Sequence, residues 1–200
     1  LTVGLFSMRL SDRIMAFESA GSAAFPQQQY LYPILGLGNS KLGKLFLEIL
    51  SPTLSFTEGA IGKIPIPDRL MLSNMDTRTV ERCISISRSD WNLYEVSWDF
   101  ANNPLVQNFP ECNLLFDVYG SVYMKWRANT LELQCLEQEN NRIFIDAYSL
   151  QQELTSEVRL DEITLTANPH YRYGGDRGEE ELDRLLVADT MRELISYAVG

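Results

Sequence analysis

Between Leu115 and Leu150 the sequence carries an apolar stripe that steps by three and four. Leu115, Val118, Val122, Trp126, Leu133, Leu136, Ile143, Ala147 and Leu150 make it, and only Asn129 and Asn140 break it. Such steps place side chains on one face of an α-helix. The spacing predicts a long helix, or two stacked ones, from about residue 113 to 148. Glu132, Glu137 and Glu139 fall off the stripe. A face of this kind needs a partner helix. Leu182, Leu186, Val187, Met191, Leu194, Ile195 and Ala198 supply one, predicting a helix from about Gly178 to Val199. Asp176 and Glu179 have capping-box spacing ahead of it.

The stretch Phe25–Pro67 predicts a second organised region. Leu42, Leu45, Phe46, Ile49 and Leu50 recur at helical spacing after Asn39-Ser40, either of which can cap the helix by accepting from its first N–H groups. Ser51-Pro52 ends it, because proline lacks an N–H and disfavours helix in the residue before it. Leu54 and Phe56 then alternate as a short strand would, and Gly59, Gly62, Pro65 and Pro67 turn the chain away. Ahead of this region, Leu5–Leu10, Ile14–Phe17 and Ala23–Phe25 are short apolar runs separated by turn residues, the pattern of hairpins. The expected fold is therefore α+β: a small β-rich head with packed helices, followed by a mainly α-helical region with long amphipathic helices. Residues 1–70 and 76–200 form the two expected domains, with a linker at 68–76.

In the second domain, Asp76 or Thr77 caps a helix running to about Ser87, and Ser89-Asp90 begins another. Trp91, Tyr94, Trp98 and Phe100 form an aromatic cluster. Large aromatics bury about 150–250 Å² each, so a hydrophobic core is the expectation, with an aromatic cage the alternative. Asn102, Asn103, Pro104 and Pro110 mark a loop. Val158–Thr166 alternates weakly and is open between a strand and an extended arm.

The net charge of −10 is unevenly spread. Residues 1–70 hold six Lys/Arg against five Asp/Glu, and the remaining 130 residues hold 11 against 22. Phosphate repels an acidic surface, so any DNA contact is expected in the first third. Arg9, Arg13, Lys41, Lys44 and Lys63 are the phosphate candidates there. For the two arginines, a solvated strand face is the alternative. Gln28, inside Gln27-Gln28-Gln29, is either a polar helix start or an adenine reader. Cys83, Cys112 and Cys135 are widely spaced and odd in number, which points to reduced thiols in a cytoplasmic protein rather than a disulfide framework or zinc cluster. No run reaches the ~18 apolar residues of a membrane span. The chain begins on Leu1 and is expected to be a piece of a longer protein.

The search for reactive groups finds little. Gly36-Leu37-Gly38 lacks the third glycine of a nucleotide loop. No acid stands two residues before a lysine, so the usual metal-dependent nuclease core is missing. His170 is the only histidine and follows no Gly-x-Ser-x-Gly turn. It is read as a loop residue, exposed or hydrogen-bonded. No metal ligand set and no catalytic residue is assigned.

Several stretches, taken in order, resemble one family. They are Asn39-Ser40-Lys41, Gly59 with Ile64–Pro67, Ile84–Phe100, Asn141–Asp146 with Leu150–Leu154, and Tyr171–Gly175 with Asp189–Gly200. Together they resemble bacterial adenine-specific DNA methyltransferases of BREX type and the fused type IIG restriction–modification enzymes. The resemblance implies that residues 1–70 end a target-recognition domain and that 76–200 form a helical connector. It implies a parent that uses S-adenosylmethionine to methylate adenine N6 in double-stranded DNA within a restriction or phage-defence system, with other defence proteins as further partners. The Asn/Asp-Pro-Pro-Tyr/Phe motif of such enzymes is absent. Asn168-Pro169-His170-Tyr171 is the nearest approach, and Asn103-Pro104-Leu105 is weaker. The expected role is thus DNA target recognition through residues 1–70 and domain connection through residues 76–200 rather than catalysis, with no cofactor in this stretch and no membrane. The alternative is a protein-interaction or scaffold module without DNA contact.

Overall fold

The computed structural model describes residues 6–11, 23–51, 56, 58–66, 76–108 and 114–200. The helical stripe folds as expected. Leu115–Ala147 is one helix of 33 residues (α6), about 50 Å long at 1.5 Å per residue. Before it come α1 (Leu31–Asn39, entered through a 3-10 turn at Gln28–Tyr30), α2 (Lys41–Leu50), α3 (Glu58–Ile61), α4 (Arg78–Trp91) and α5 (Pro104–Asn108). After it come a 3-10 turn at Leu160–Glu162, α7 (Pro169–Tyr173) and α8 (Glu179–Val199).

The chain forms two compact units. One is Leu1–Ile84 with Leu136–Glu157, the other Ser85–Cys135 with Val158–Gly200. In the first, Leu37 of α1, Leu42 of α2 and Phe144 of α6 are buried together, with Phe46, Ile64, Tyr148, Leu150 and Leu154 packed around them. Each such leucine contributes about 1.5–3 kcal/mol by leaving water. Phe46 and Tyr148 meet with ring centroids 5.4 Å apart, and the Tyr148 hydroxyl donates to the Pro65 carbonyl. Helix α6 ends here in a left-handed residue, Ser149 (φ 59°). Its neighbour Leu150 reaches back to the Ile145 carbonyl at 3.0 Å, the six-to-one bond that closes a helix C-terminus.

In the second unit Val118, Val122 and Trp126 of α6 share a buried cluster with Leu105, Ala167 and Leu186 of α8. The expected partner helix is therefore in place against the first half of the stripe.

The β-rich head is overturned, since no strand occurs among the described residues. The physical reason is visible where the backbone would have needed a strand partner. The Asn39 carboxamide accepts from Met8 N at 2.8 Å and donates to Met8 O at 3.0 Å, meeting both backbone groups as a neighbouring strand would. The same happens at Val158–Ala167, which is not a strand either. Gln134 donates to Val158 O at 2.7 Å, Asn168 donates to Leu160 O and Ile163 O at 2.7 and 2.8 Å, and Asp90 accepts from Thr166 N and Ala167 N at 2.7 and 3.0 Å. Val158, Ile163, Leu165 and Ala167 are buried beneath these bonds. The hairpin expected across residues 12–22 and the strand at Leu54 lie outside the described residues.

Three local expectations also change. Helix α4 continues through Ser89-Asp90 to Trp91 without a break, and Asp90 serves the distant 166–167 backbone instead of starting a helix. Trp91 and Trp98 are 54% and 91% exposed and so are not core. The Asp176–Glu179 capping box does not form, because Gly178 occupies the N-cap with no side-chain bond.

Candidate nucleic-acid interface

The Asn39-Ser40-Lys41 motif is the corner between α1 and α2. Ser40 leaves the helical conformation (ψ 159°) and its side chain accepts from Gly43 N, which satisfies one of the N–H groups a helix start leaves bare. The same hydroxyl donates to Leu37 O at 2.7 Å. The first turn of α2 lies so close on that carbonyl that a Cβ at Gly43 would stand 2.1 Å from Leu37 O. Two successive asparagines of α6 fasten the corner. Asn140 donates to Gly36 O at 2.9 Å, and Asn141 accepts from Lys41 N at 2.9 Å while donating to Ser156 O at 3.3 Å. Asn140 is 7% exposed, and its Oδ1 has no conventional partner. It instead faces the Gly36 backbone, where an added Cβ would come within 2.8 Å.

This corner collects part of the basic set. Arg9 is exposed and follows Met8, which Asn39 holds against the corner. Lys41 and Lys44 are half-buried in the first turn of α2, which contains no acid. A helix N-terminus carries positive partial charge and favours anions, so two ammonium groups there raise the local potential. The backbone does not form a phosphate cradle, because Lys41 N and Gly43 N are already bonded to Asn141 and Ser40. The groups left at this corner that could meet an anion are side chains. Gln28 is exposed in the turn that enters the opposite end of α1, and Lys63 is exposed just past α3. Arg13 lies outside the described residues. Asn140 and Asn141 were not assigned a role from sequence, though an asparagine interrupting an apolar stripe is the signal of a buried polar group in need of a partner.

The second unit has a polar network of another kind. Arg172 bonds Glu193 at 2.8 Å and stands 3.4 Å from Asp189. Its guanidinium lies 5.8 Å from the Tyr94 ring centroid and 5.6 Å from that of Tyr173, within cation–π range. Tyr173 donates to Asp189 at 2.9 Å and Tyr123 to Asp183 at 2.7 Å. Burial pushes the Tyr94 and Tyr173 hydroxyls far above their usual range, and pushes Tyr119 up to about 12. Burial also raises the Asp90 carboxyl, outweighing the two N–H bonds that favour its charged form. No nucleophile stands beside a base in this network. It holds helices in register.

Asn168 is fully buried, with its amide donating to two carbonyls and its oxygen accepting from His170 N. Its hydrogen-bonding capacity is spent within the fold, so it does not hold an adenine amino group. His170 sits in α7, half-buried, with Nε2 3.3 Å from Glu179. These residues also do not fit S-adenosylmethionine. Gly36 and Gly38 lie inside helix α1, where a Cβ would meet Asn140 and Met8 respectively, rather than in a strand-to-helix turn. Among the described residues no group of three or more His, Cys, Asp or Glu is placed to hold a metal ion, and no helix is long and apolar enough to cross a membrane.

No protein-family model matches the chain. Individual proteins do. The chain is 33% identical over 199 residues to the Escherichia coli O9:H4 (strain HS) adenine-specific methyltransferase BrxX, covering 98% of this chain and 16% of that protein. It is 35% identical over 170 residues to the Lacticaseibacillus casei (strain Zhang) adenine-specific methyltransferase PglX, covering 82% of this chain and 14% of that protein. The chain thus corresponds to a small part of the length of these relatives. Along most of its residues, then, the chain is homologous to proteins named adenine-specific methyltransferases, BrxX and PglX, of BREX systems.

Proposed function

We propose that this chain is the stretch of a site-specific adenine-N6 DNA methyltransferase that meets the duplex and connects the enzyme's parts, without carrying the methyl transfer itself. The observation that supports this best is the homology, along nearly its whole length, to proteins named adenine-specific methyltransferases. In this reading the whole protein takes its methyl group from S-adenosylmethionine, acts in phage defence in the cytoplasm, and flips the target adenine out of the helix. Residues 1–70 close the target-recognition domain and residues 76–200 are the connector. Arg9, Lys41 and Lys44 at the α1–α2 corner, with Arg13 and Lys63, contact phosphates, and Gln28 reaches a base edge. Lysines suit the first role because they act as mobile point charges.

The test is binding of a fluorescent duplex measured by anisotropy across a salt series. Affinity should fall as salt rises, with a log–log slope that reports the number of phosphates neutralised. Lys41→Glu with Lys44→Glu should weaken binding about tenfold or more and flatten the slope by about one to two. Lys41→Gln with Lys44→Gln, in which no negative charge is added to the helix start, guards against loss of fold. Absence of salt-dependent binding, both in this chain and in the longer protein that carries it, overturns the proposal. A protein-interaction role for the second unit is the other reading, favoured by that unit's 8 basic against 15 acidic residues.

A further inference from the structure

The turn that follows α4 holds large apolar side chains in water. From Trp91 to Phe100 the chain is wound into consecutive turns, with Ser97 N bonded to Tyr94 O at 2.9 Å and Phe100 N to Ser97 O at 3.2 Å. The Ser97 hydroxyl donates to Asn92 at 2.7 Å and accepts from Asp99 N at 3.2 Å. Leu93 packs into the core of the second unit, and Phe100 meets Tyr197 of α8 edge-on. With those anchors pointing inward, Trp91, Val96 and Trp98 point outward at 54%, 69% and 91% exposure. Isolated exposed apolar residues are ordinary. Here two tryptophans and a valine are exposed within one internally bonded stretch, and tryptophan anchors dominate binding energy when partners cover them. Their arrangement in advance also lowers the entropic cost of association.

The charge around the patch selects its occupant. No Lys, Arg or His occurs in the stretch from Trp91 to Phe100, and Arg172, which lies over the Tyr94 ring, is already paired with Glu193 and stands 3.4 Å from Asp189. Glu95 and Asp99 are exposed on the turn itself. A duplex or single strand would be repelled here, although aromatic rings alone would suit bases. A second copy of the chain would bring the same acidic surface against itself. We propose that residues 91–99 dock a segment of a separate protein that presents apolar side chains flanked by Lys or Arg. The apolar groups cover Trp91, Val96 and Trp98, and the cations pair with Glu95 and Asp99. This site is independent of whether the first unit meets DNA.

The experiment uses the 200-residue chain and a labelled amphipathic Leu/Lys peptide, read by anisotropy. Leu/Glu and Ser/Lys peptides of equal length, and a short duplex, are the comparison probes. The Leu/Lys peptide should bind saturably, at least about tenfold tighter than any of the three. Trp98→Ala should weaken it about tenfold while circular dichroism and the melting temperature stay unchanged, since a side chain so exposed does little for the fold. Glu95→Lys with Asp99→Lys should also weaken it and invert the preference toward the Leu/Glu peptide. Unchanged affinity in Trp98→Ala overturns the proposal. So does equal binding of the Ser/Lys peptide, tighter binding of the duplex, or a self-association of the wild type that Trp98→Ala abolishes.

Discussion

The two units solve one problem with different chemistry. Each must fasten helices and non-helical chain without a sheet among its described residues. The first does it mainly with neutral groups: the carboxamides of Asn39, Asn140 and Asn141, the Ser40 hydroxyl, and glycines that leave room for Asn140, Met8 and the Leu37 carbonyl. The second leans on ionised and aromatic groups: Asp90 on the 166–167 backbone, and Arg172 between Glu193 and two tyrosine rings. A carboxamide both donates and accepts, so it can replace a strand partner without placing a charge in a low-dielectric interior. A buried carboxylate makes stronger bonds to N–H groups but brings a desolvation cost and a dependence on pH. The first unit should therefore be sensitive to volume and indifferent to pH, whereas the stability of the second should depend on pH.

The sharpest way to break this contrast is Gly43→Ala. The new methyl would stand 2.1 Å from the Leu37 carbonyl oxygen, so backbone would have to shift to admit it. The loss should be about 4 kcal/mol or more, in the exceptional range for a single substitution. Thermal unfolding should show the first unit lost. A stable Gly43→Ala protein would mean that the corner is looser than described.

Next in size is Asn140→Ala. It leaves the Gly36 carbonyl buried and unpaired, costing about 1–3 kcal/mol in urea unfolding. Gly36→Ala alone should cost a similar amount, because its methyl meets Asn140 Oδ1. The double variant should cost clearly less than the sum, since removing the amide opens space for the methyl. Additive costs would show that the two residues do not touch.

A smaller effect, and the one that separates the units, is Asp90→Asn. One of the two N–H groups loses its acceptor, for about 1–2 kcal/mol. Burial holds the Asp90 carboxyl above its ordinary 3.8, so the folded chain binds this proton more tightly than the unfolded chain. The stabilisation from Asp90 is complete below that ordinary value and declines as pH rises through the raised one. Asparagine does not titrate. The deficit of the variant relative to wild type should narrow as pH rises above the ordinary 3.8 of the carboxyl, whereas the deficit of Asn140→Ala should stay flat. A widening Asp90→Asn deficit would mean that the N–H bonds outweigh burial.

The parts of this fold legible in the sequence are those with a period. Val118, Val122, Trp126 and Leu133 are buried as their spacing requires, and Leu182 and Leu186 on the partner helix likewise. The head was misread because short apolar runs between turn residues look the same whether a strand or an asparagine side chain completes the backbone. That distinction rests on bonds such as Asn39 to Met8, 31 positions apart, which no local pattern encodes. The tryptophans were misread because residue type speaks for burial while their place on an outward turn does not. At the candidate interface, charge alone picked out Arg9, Lys41 and Lys44. Their gathering at one corner depends on the same Asn39 bond. Locally Asp90 looks like a helix start, and its true partners lie 76 and 77 positions away.

With DNA proposed to meet the first unit, the distribution of lysines lets its place be read directly. Lys41, Lys44 and Lys63 belong to the first unit and Lys125 to the second, and there are no other lysines in the chain. Acetylation by an amine-reactive reagent, with and without duplex, can be quantified at each by mass spectrometry. Duplex should slow modification of Lys41 and Lys44 several-fold while leaving Lys125 unchanged. Protection of Lys125 with Lys41 and Lys44 unaffected would contradict it.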